Sequence, residues 1–580
     1  MGDDALAEFF SMSAPALVTE FERLAGAPGG VARLRELILG LAVRGRLVPQ
    51  DPCDEPASIL LRKIQDEKDR LVAAARVKRG KVSASVKEEE APFVLPASWL
   101  WTRLDAATKK ITDGTHHSPA SLPTGAFKYL SAKNIKSWGI DLADVTYVPA
   151  QVHQEIYSRC DPEYGDVLYI KDGATTGVLT INTLNEEFSL LSSVAVVKPS
   201  CGLTSAYLAV LMRSPFFYRA MRDGMTGVAI TRVTLSKLGA ALVPLPPLNE
   251  QARIVARVDE LMQLCDALEA KGKLEAQQHA RLLETLLGTL TDSTTPEELA
   301  ANWQRVAEHF DLLLDRPEAV DVLEQTVLQL AVRGLLVPQD PSDEPAAMLL
   351  AQIRAHKAQL SSDGRVKRDK PLPAVDMQAT PFALPRGWAW ARFPELGEFG
   401  RGKSKHRPRN DPALFSPPIY PLVQTGEVAR AKGTILEFHS KYSELGLAQS
   451  RLWPAGTLCI TIAANIADAA VLGFDACFPD SVVGFVPASC LGGTNYFQAF
   501  LETAKTDLVK FAPATAQKNI NLEILESLLV PLPPKSEIER IVSRVTELRR
   551  LCADLRQRLA ASQATQSRLA GALVESVASA

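Results

Sequence analysis

Apolar residues recur every three or four positions at Val31, Leu34, Leu37, Ile38 and Leu41, the spacing that lines one face of an α-helix. Gly45 follows as a stop, since glycine accepts the left-handed conformation that closes a helix. A turn through Pro49-Gln50-Asp51-Pro52 leads to a second predicted helix, with Asp54 as N-cap, Pro56 just inside and an end near Arg76. Further on, Val167 to Ile170, Val194 to Val197 and Leu458 to Ile462 are short apolar runs bounded by Gly, Asn, Asp and Pro, which predicts strands. Helices are predicted over Ser205 to Arg222 and Asn495 to Lys510. After Pro246-Pro247 the helical spacing returns at Ile254, Val258, Leu261, Cys265 and Leu268. A second row holds Ile541, Val545, Leu548, Cys552, Leu555 and Leu559. Rows stepping by four and three read as coiled-coil seams, and two such rows in one chain point to mutual pairing. An amphipathic helix on a local core is the alternative.

The chain repeats itself. Leu41 to Ala57 (LAVRGRLVPQDPCDEPA) returns as Leu330 to Ala346 (LAVRGLLVPQDPSDEPA), with 15 of 17 positions identical. Pro92 to Leu104 returns at Pro381 to Phe393. Val243 to Pro247 returns at Val530 to Pro534, and the helix at Glu250 returns at Glu537, where Asp343 and Pro345 have already repeated the earlier cap. The edges of the two copies match closely. Their middles, Asp105 to Leu242 and Pro394 to Leu529, barely match. Equal frames with unequal inserts imply two scaffolds carrying two recognition surfaces. Drift after duplication is the alternative, but drift loosens frame and insert alike. The expected organisation is an N-terminal helical region (1–91), a first α/β domain (92–247), a long helix (248–290), a linker with the repeated helical region (291–380), a second α/β domain (381–534) and a closing helix (535–580). Two charged linkers, Arg76 to Glu90 and Ser361 to Pro373, are poor in large apolar groups.

Composition narrows the function classes. With 580 residues, 46% hydrophobic and 23% charged, the chain builds ordinary cores. A net charge of -3 argues against indiscriminate coating of nucleic acid. The middles carry 13 basic and 12 acidic residues, and 12 and 13 respectively, so any nucleic-acid face requires charge segregated onto one side. No apolar run approaches the ~18 residues of a membrane span, and Met1-Gly2-Asp3-Asp4 lacks a signal-peptide layout. Eight scattered cysteines, none in a Cys-x-x-Cys pair or at ligand spacing from a histidine, read as reduced thiols of a cytoplasmic protein.

Few motifs carry chemistry. Gly397-Glu-Phe-Gly-Arg-Gly402-Lys403-Ser404 satisfies the Walker A pattern, but Pro408 and Pro412 follow where a phosphate loop needs a helix. Arg401, Lys403, Lys405, Arg407 and Arg409 alternate without an intervening acid, around His406, as a DNA-contacting loop or a solvated basic one. Ser416-Pro417-Pro418-Ile419 lacks the aromatic residue that an adenine-positioning motif requires. His116-His117 has no partners to complete a metal site, which leaves a turn or a DNA contact. Gly173 to Gly177 is either a phosphate cradle or a plain hairpin turn. No cofactor is expected on this chain.

Leu245 to Val255 (LPPLNEQARIV) resembles the close of a recognition domain in the specificity subunits of type I restriction–modification enzymes. Leu532 to Val542 is similar, departing at Lys535, Ser536 and Ile538. Asp113-Gly-Thr-His116, Gly165-Asp-Val-Leu168, Gly173 to Gly177 and Gly402 to Arg409 also resemble that family. The likeness covers nearly the whole chain and its two-copy order. It implies a mixed α/β fold with two tandem target recognition domains, joined by two long helices that pair as an antiparallel coiled coil. It also implies a non-catalytic subunit whose domains each read half of a split site on double-stranded DNA. Modification subunits, two of them, then methylate adenine with S-adenosylmethionine, and restriction subunits use ATP and Mg2+ to translocate and cleave. The DNA-contact candidates are Thr115, His116, Lys133, Asn134, Lys171, Thr175, Thr176 and Arg232 in the first copy. In the second they are Arg401, Lys403, Lys405, His406, Arg407, Arg409, Lys518 and Asn519. A scaffold that binds proteins through two variable domains is the competing class.

Overall fold

The computed structural model describes residues 24–74, 86–223, 232–362, 375–376, 380–405, 408–463, 466–510 and 520–579. The chain divides into two compact units, one of residues 1–275 with 563–580, the other of residues 276–562.

In unit 1, helix α1 (Gly30–Arg44) ends at Gly45 and helix α2 (Ala57–Ala73) follows. Strand β1 (Leu100–Arg103) then leads to β2 (Lys110–Asp113), β3 (Val167–Ile170), β4 (Leu179–Ile181) and β5 (Val194–Lys198). The last four form an antiparallel sheet in the order β2-β5-β3-β4. Its two central strands are buried at every position, which is why they read as unbroken apolar runs. Strand β6 (Leu242–Leu245) returns to pair with β1, and helix α3 (Leu248–Thr291) leaves it.

Unit 2 repeats the plan with helices α4 (Pro317–Val332) and α5 (Ala346–Ser362) and strands β7 (Ala389–Arg392), β8 (Gly397–Arg401), β9 (Leu458–Thr461), β10 (Ala469–Leu472) and β11 (Val482–Pro487). Its sheet runs β8-β11-β9-β10, extended by Thr434–Ile435 parallel to β10. Strand β12 (Leu529–Leu532) pairs with β7, and helix α6 (Lys535–Ser579) closes the chain. No helix among the described residues is long and apolar enough to cross a membrane.

One polar cluster holds each unit's frame together. The buried carboxylate of Glu250 accepts from the Trp99 indole at 2.8 Å and from Gln50 Nε2 at 2.6 Å. One turn along α3, Arg253 grips Asp54 at 2.6 and 3.4 Å. Unit 2 has Glu537 with Trp388 at 3.0 Å and Gln339 at 2.6 Å, and Arg540 on Asp343 at 2.6 and 3.4 Å. Burial pushes both glutamates above the usual carboxylate range, and their indole and amide donors pull them back. Gly45 and Gly334 serve the same junction. Each has φ near 70°, and a Cβ would strike Pro96 and Trp99, or Pro385 and Trp388. The copies differ beside it. Gln251 is buried and bonds to Gly202, Pro246 and Thr204, whereas Ile538 packs into an apolar core.

Three expectations change. Asp54 and Asp343 do not cap the second helix, because their carboxylates are committed to arginines; α2 is described to Ala73, and its expected end near Arg76 lies outside the described residues. The helix expected over Ser205 to Arg222 is two, Ser205–Arg213 and Pro215–Arg222, since Pro215 lacks an N–H and the Ser214 hydroxyl caps the second piece. The apolar rows of the long helices serve local cores first. Ile254, Val258, Leu261 and Cys265 share a core with Leu34, Ile38 and Leu41 of α1. Ile541 and Val545 do so with Leu328 and Ala331 of α4. Within unit 2, Cys552, Leu555 and Leu559 join a core containing Leu283, Leu287 and Leu290 of α3. Leu268 is partly buried in the unit 1 core, and Leu548 is half-buried. The linkers fall largely outside the described residues.

The Arg253 hydrogen bond holds the Asp54 carboxyl below its usual range. That stabilisation is complete above the unfolded value of ~3.9 and fades as pH falls through the lower folded value. Urea titrations of the native chain and Asp54→Asn should therefore differ by a constant amount above about pH 5 and converge below about pH 4. Curves that stay parallel to pH 2 would refute the linkage.

Candidate nucleic-acid interface

The antiparallel sheet of unit 1 brings three loops to one end: the exit of β2 (113–117), the β3–β4 hairpin (171–177) and the entry to β5 (191–193). Main-chain bonds stitch them together. Thr115 N–H donates to Leu190 O at 2.8 Å, Ser192 N–H to Thr115 O at 2.8 Å, Lys171 N–H to Ser193 O at 2.9 Å and Val233 N–H to Lys171 O at 2.9 Å. Gly114 is required at the crossing, because a Cβ there would lie 1.9 Å from Leu190 O.

Asp113 sits at the centre with 2% of its surface exposed. Arg159 donates to one carboxylate oxygen, while Lys171 Nζ and His116 Nε2 each lie 3.4 Å from the other. Lys171 also reaches Asp172 at 3.3 Å. Asp172 in turn bridges to exposed Arg232 through the backbone. A buried carboxylate held between an arginine and a lysine, with a histidine on its outer side, is a preorganised cluster.

Unit 2 builds the same loop end. Ile462 N–H donates to Ser481 O at 3.0 Å and Ile520 N–H to Ile462 O at 3.0 Å, the counterparts of the Lys171 bonds. Gly402 replaces Gly114, its Cβ position 2.2 Å from Phe478 O. The ladder fixes the correspondence: Ala195 faces Asp113 as Val483 faces Arg401, and Val194 faces Ile170 as Val482 faces Thr461. Arg401 thus occupies the place of Asp113, and apolar Ile462 that of Lys171. Arg401, Lys403 and Lys405 are exposed. Lys405 N–H is tied to Gln449 Oε1 at 2.6 Å, and Arg409 pairs with Asp480 at 2.9 Å.

The structure sorts the sequence candidates. Thr115, His116, Lys133, Thr175 and Arg232 keep exposed or half-exposed side chains around the unit 1 loop end. Three candidates are corrected. Asn134 is buried, with its amide bonded to Ser131 and Asp141. Thr176 is buried, and its hydroxyl donates to Gly173 O at 2.7 Å. Gly173 to Gly177 forms the β3–β4 hairpin turn, in which the Thr176, Gly177 and Val178 amides donate to the Gly173, Ile170 and Thr175 carbonyls. Lys171 is buried, its ammonium held between two aspartates. Among the described residues no α-helix opens directly after the Walker-like run, whose first half is strand β8, and no His/Cys/Asp/Glu group forms a metal site. His406, Arg407, Lys518 and Asn519 lie outside the described residues. Sequence reasoning missed Arg159, which reaches Asp113 across 46 residues from a stretch with no basic pattern.

The model for the type I restriction modification DNA specificity domain matches residues 147–278 and 385–562. The chain is 32% identical over 576 residues to the EcoAI type I restriction enzyme specificity subunit of Escherichia coli, covering 94% of this chain and 93% of that one. It is 33% identical over 574 residues to the EcoEI specificity subunit of Escherichia coli, with the same two coverages, 94% and 93%. The crystal structure of the HsdS subunit from Thermoanaerobacter tengcongensis is 19% identical, with 84% of this chain and 98% of that chain covered and a TM-score of 0.39.

The Lys171 geometry predicts a structural effect from its loss. Lys171→Ala leaves Asp113 and Asp172 short of a buried partner and should lower the stability of unit 1 by about 2–4 kcal/mol. Chemical denaturation measures it, and a midpoint equal to the native one would return Lys171 to the list of DNA contacts.

Proposed function

Because the chain belongs to the type I restriction–modification DNA specificity family, we propose that it selects the DNA sequence on which a type I restriction–modification complex acts. It is the non-catalytic subunit. Each α/β domain, residues 92–247 and 381–534, reads one half of a split duplex site. Partner modification subunits, two per chain, methylate adenine with S-adenosylmethionine, and restriction subunits driven by ATP and Mg2+ cleave. Within unit 2 the long helices pair along part of their length, Leu283, Leu287 and Leu290 sharing a core with Cys552, Leu555 and Leu559. The complex works in the cytoplasm.

One observation carries the two-reader reading. The units share a loop end of the same register and main-chain bonding, yet its outward side chains differ: Thr115, His116 and Thr175 in one, Arg401, Lys403 and Lys405 in the other. Shared bonding positions a surface, and different side chains on it select different bases. A protein-binding scaffold has no comparable reason to place exposed cations at this end of both sheets. The contact residues proposed are Thr115, His116, Lys133, Thr175 and Arg232 in the first domain and Arg401, Lys403, Lys405 and Arg409 in the second. His406, Arg407, Lys518 and Asn519 are retained from the sequence.

Exchanging residues 105–242 for the middle of a related subunit should change one half of the methylated site and leave the other half intact, as read by base-resolution methylation mapping. Change in both halves, or in neither, refutes two independent readers. In the second domain, Arg401→Ala with Lys403→Ala should weaken binding to every duplex and flatten the slope of log affinity against log salt by about 1–2. An unaltered slope removes this run from the DNA interface.

A further inference from the structure

Arg159 belongs to no basic run, and its guanidinium is bonded to Asp113, the residue whose register position unit 2 gives to Arg401. We infer that Arg159 is the residue with which the first domain grips a DNA phosphate, and that buried Asp113 is the positioning residue that holds it there. The inference rests on the DNA-reading function proposed above.

Three observations support it. First, the ladder equates Asp113 with Arg401. Where unit 2 projects a guanidinium from the strand itself, unit 1 has a carboxylate that captures one from the segment following the helix Ala150–Tyr157. Both units thus associate a guanidinium with the same register position, supplied from unrelated positions in sequence. Second, Arg159 is fixed yet accessible. Its Nη2 donates to Gly114 O at 2.8 Å, to Asp113 O at 3.1 Å and to the Asp113 carboxylate, while 52% of the side chain stays exposed. Fixing the group beforehand lowers the entropy lost when it binds.

Third, the bonding pattern selects phosphate over base. A guanidinium grips guanine along an edge of two nitrogens, and Nη2 belongs to both edges that are not blocked by the side chain's own Cδ. With Nη2 bonded to Asp113 and Gly114, neither edge is open for a bidentate grip. The Nη1 corner takes part in none of these bonds. One charged corner suits a phosphate oxygen. His116 lies on the outer side of the same carboxylate, and Lys171 braces it from within.

The test uses the whole chain assembled with its modification subunits. The probes are a duplex carrying the complex's methylated site and a scrambled duplex of equal length, each titrated at several salt concentrations. Arg159→Ala should weaken both by a similar factor, about 3- to 10-fold near physiological salt, and flatten the salt slope by about 0.9, the signature of one lost phosphate contact. Arg159→Lys should restore most of the slope, which a purely structural role would not predict. Asp113→Ala should flatten the slope equally, and adding Arg159→Ala to it should flatten it no further. If Asp113→Ala does not fold, the Arg159 pair decides alone. An unchanged slope for Arg159→Ala overturns the inference, and if Arg401→Ala still flattens it, the DNA-reading function stands. A changed base preference with the slope intact also overturns it, by making Arg159 a base reader. A native complex that treats both duplexes alike overturns the function and the inference together.

Discussion

The structure depends on a buried carboxylate that is made twice. Glu250 and Glu537 each open a long helix and each accept an indole and an amide hydrogen bond. An ionised carboxylate taken out of water is costly unless its oxygens are satisfied. Satisfying them fixes three segments that are far apart in sequence: the turn after the first helix, the tryptophan before the first strand, and the helix that leaves the domain. The adjacent arginine–aspartate pair ties a second point of the same turn to the same helix. Each domain is therefore set onto its long helix in one orientation.

This constraint explains which parts of the chain repeat. Gln50, Asp54, Trp99, Glu250 and Arg253 return as Gln339, Asp343, Trp388, Glu537 and Arg540. Removal of Gln50, Trp99 or Arg253 leaves a buried carboxylate short of a donor, and removal of Glu250 leaves the buried Trp99 indole without its acceptor. The middles carry no part of that cluster. Their sheets need only keep apolar central strands and a glycine where two loops cross, at Gly114 and Gly402. A protein that reads two different half-sites needs that separation, because its recognition chemistry must vary while its geometry is held.

Much of the frame was legible in the sequence because its signals are local. Helical spacing marked α1 and both long helices, and unbroken apolar runs marked the buried strands β3, β5 and β9. Other features were misread where a side chain had two possible partners. Asp54 precedes a helix as a cap would, but Arg253 lies close enough to take its carboxylate. The apolar rows of the long helices suit a coiled coil and a local core equally well, and spacing alone does not say which surface covers them. Ser214-Pro215 offered a local signal for a helix break that the surrounding apolar pattern masked.

The sequence by itself determined the duplication, the mixed α/β architecture, the long closing helices and the family, since all of these are written in neighbouring residues or in their repetition. The tertiary structure alone decided which polar residues face outward. Lys171, Asn134 and Thr176 have the composition of contact residues, yet the fold surrounds them with partners. Arg159 shows no pattern at all, yet the fold carries it to the loop end. Asn134 and Thr176 are closed off by bonds within their own turns, but the exposure of Lys171 and Arg159 depends on pairings with Asp113 from distant segments, across 46 residues for Arg159. Such pairings exist only once the strands have set their register.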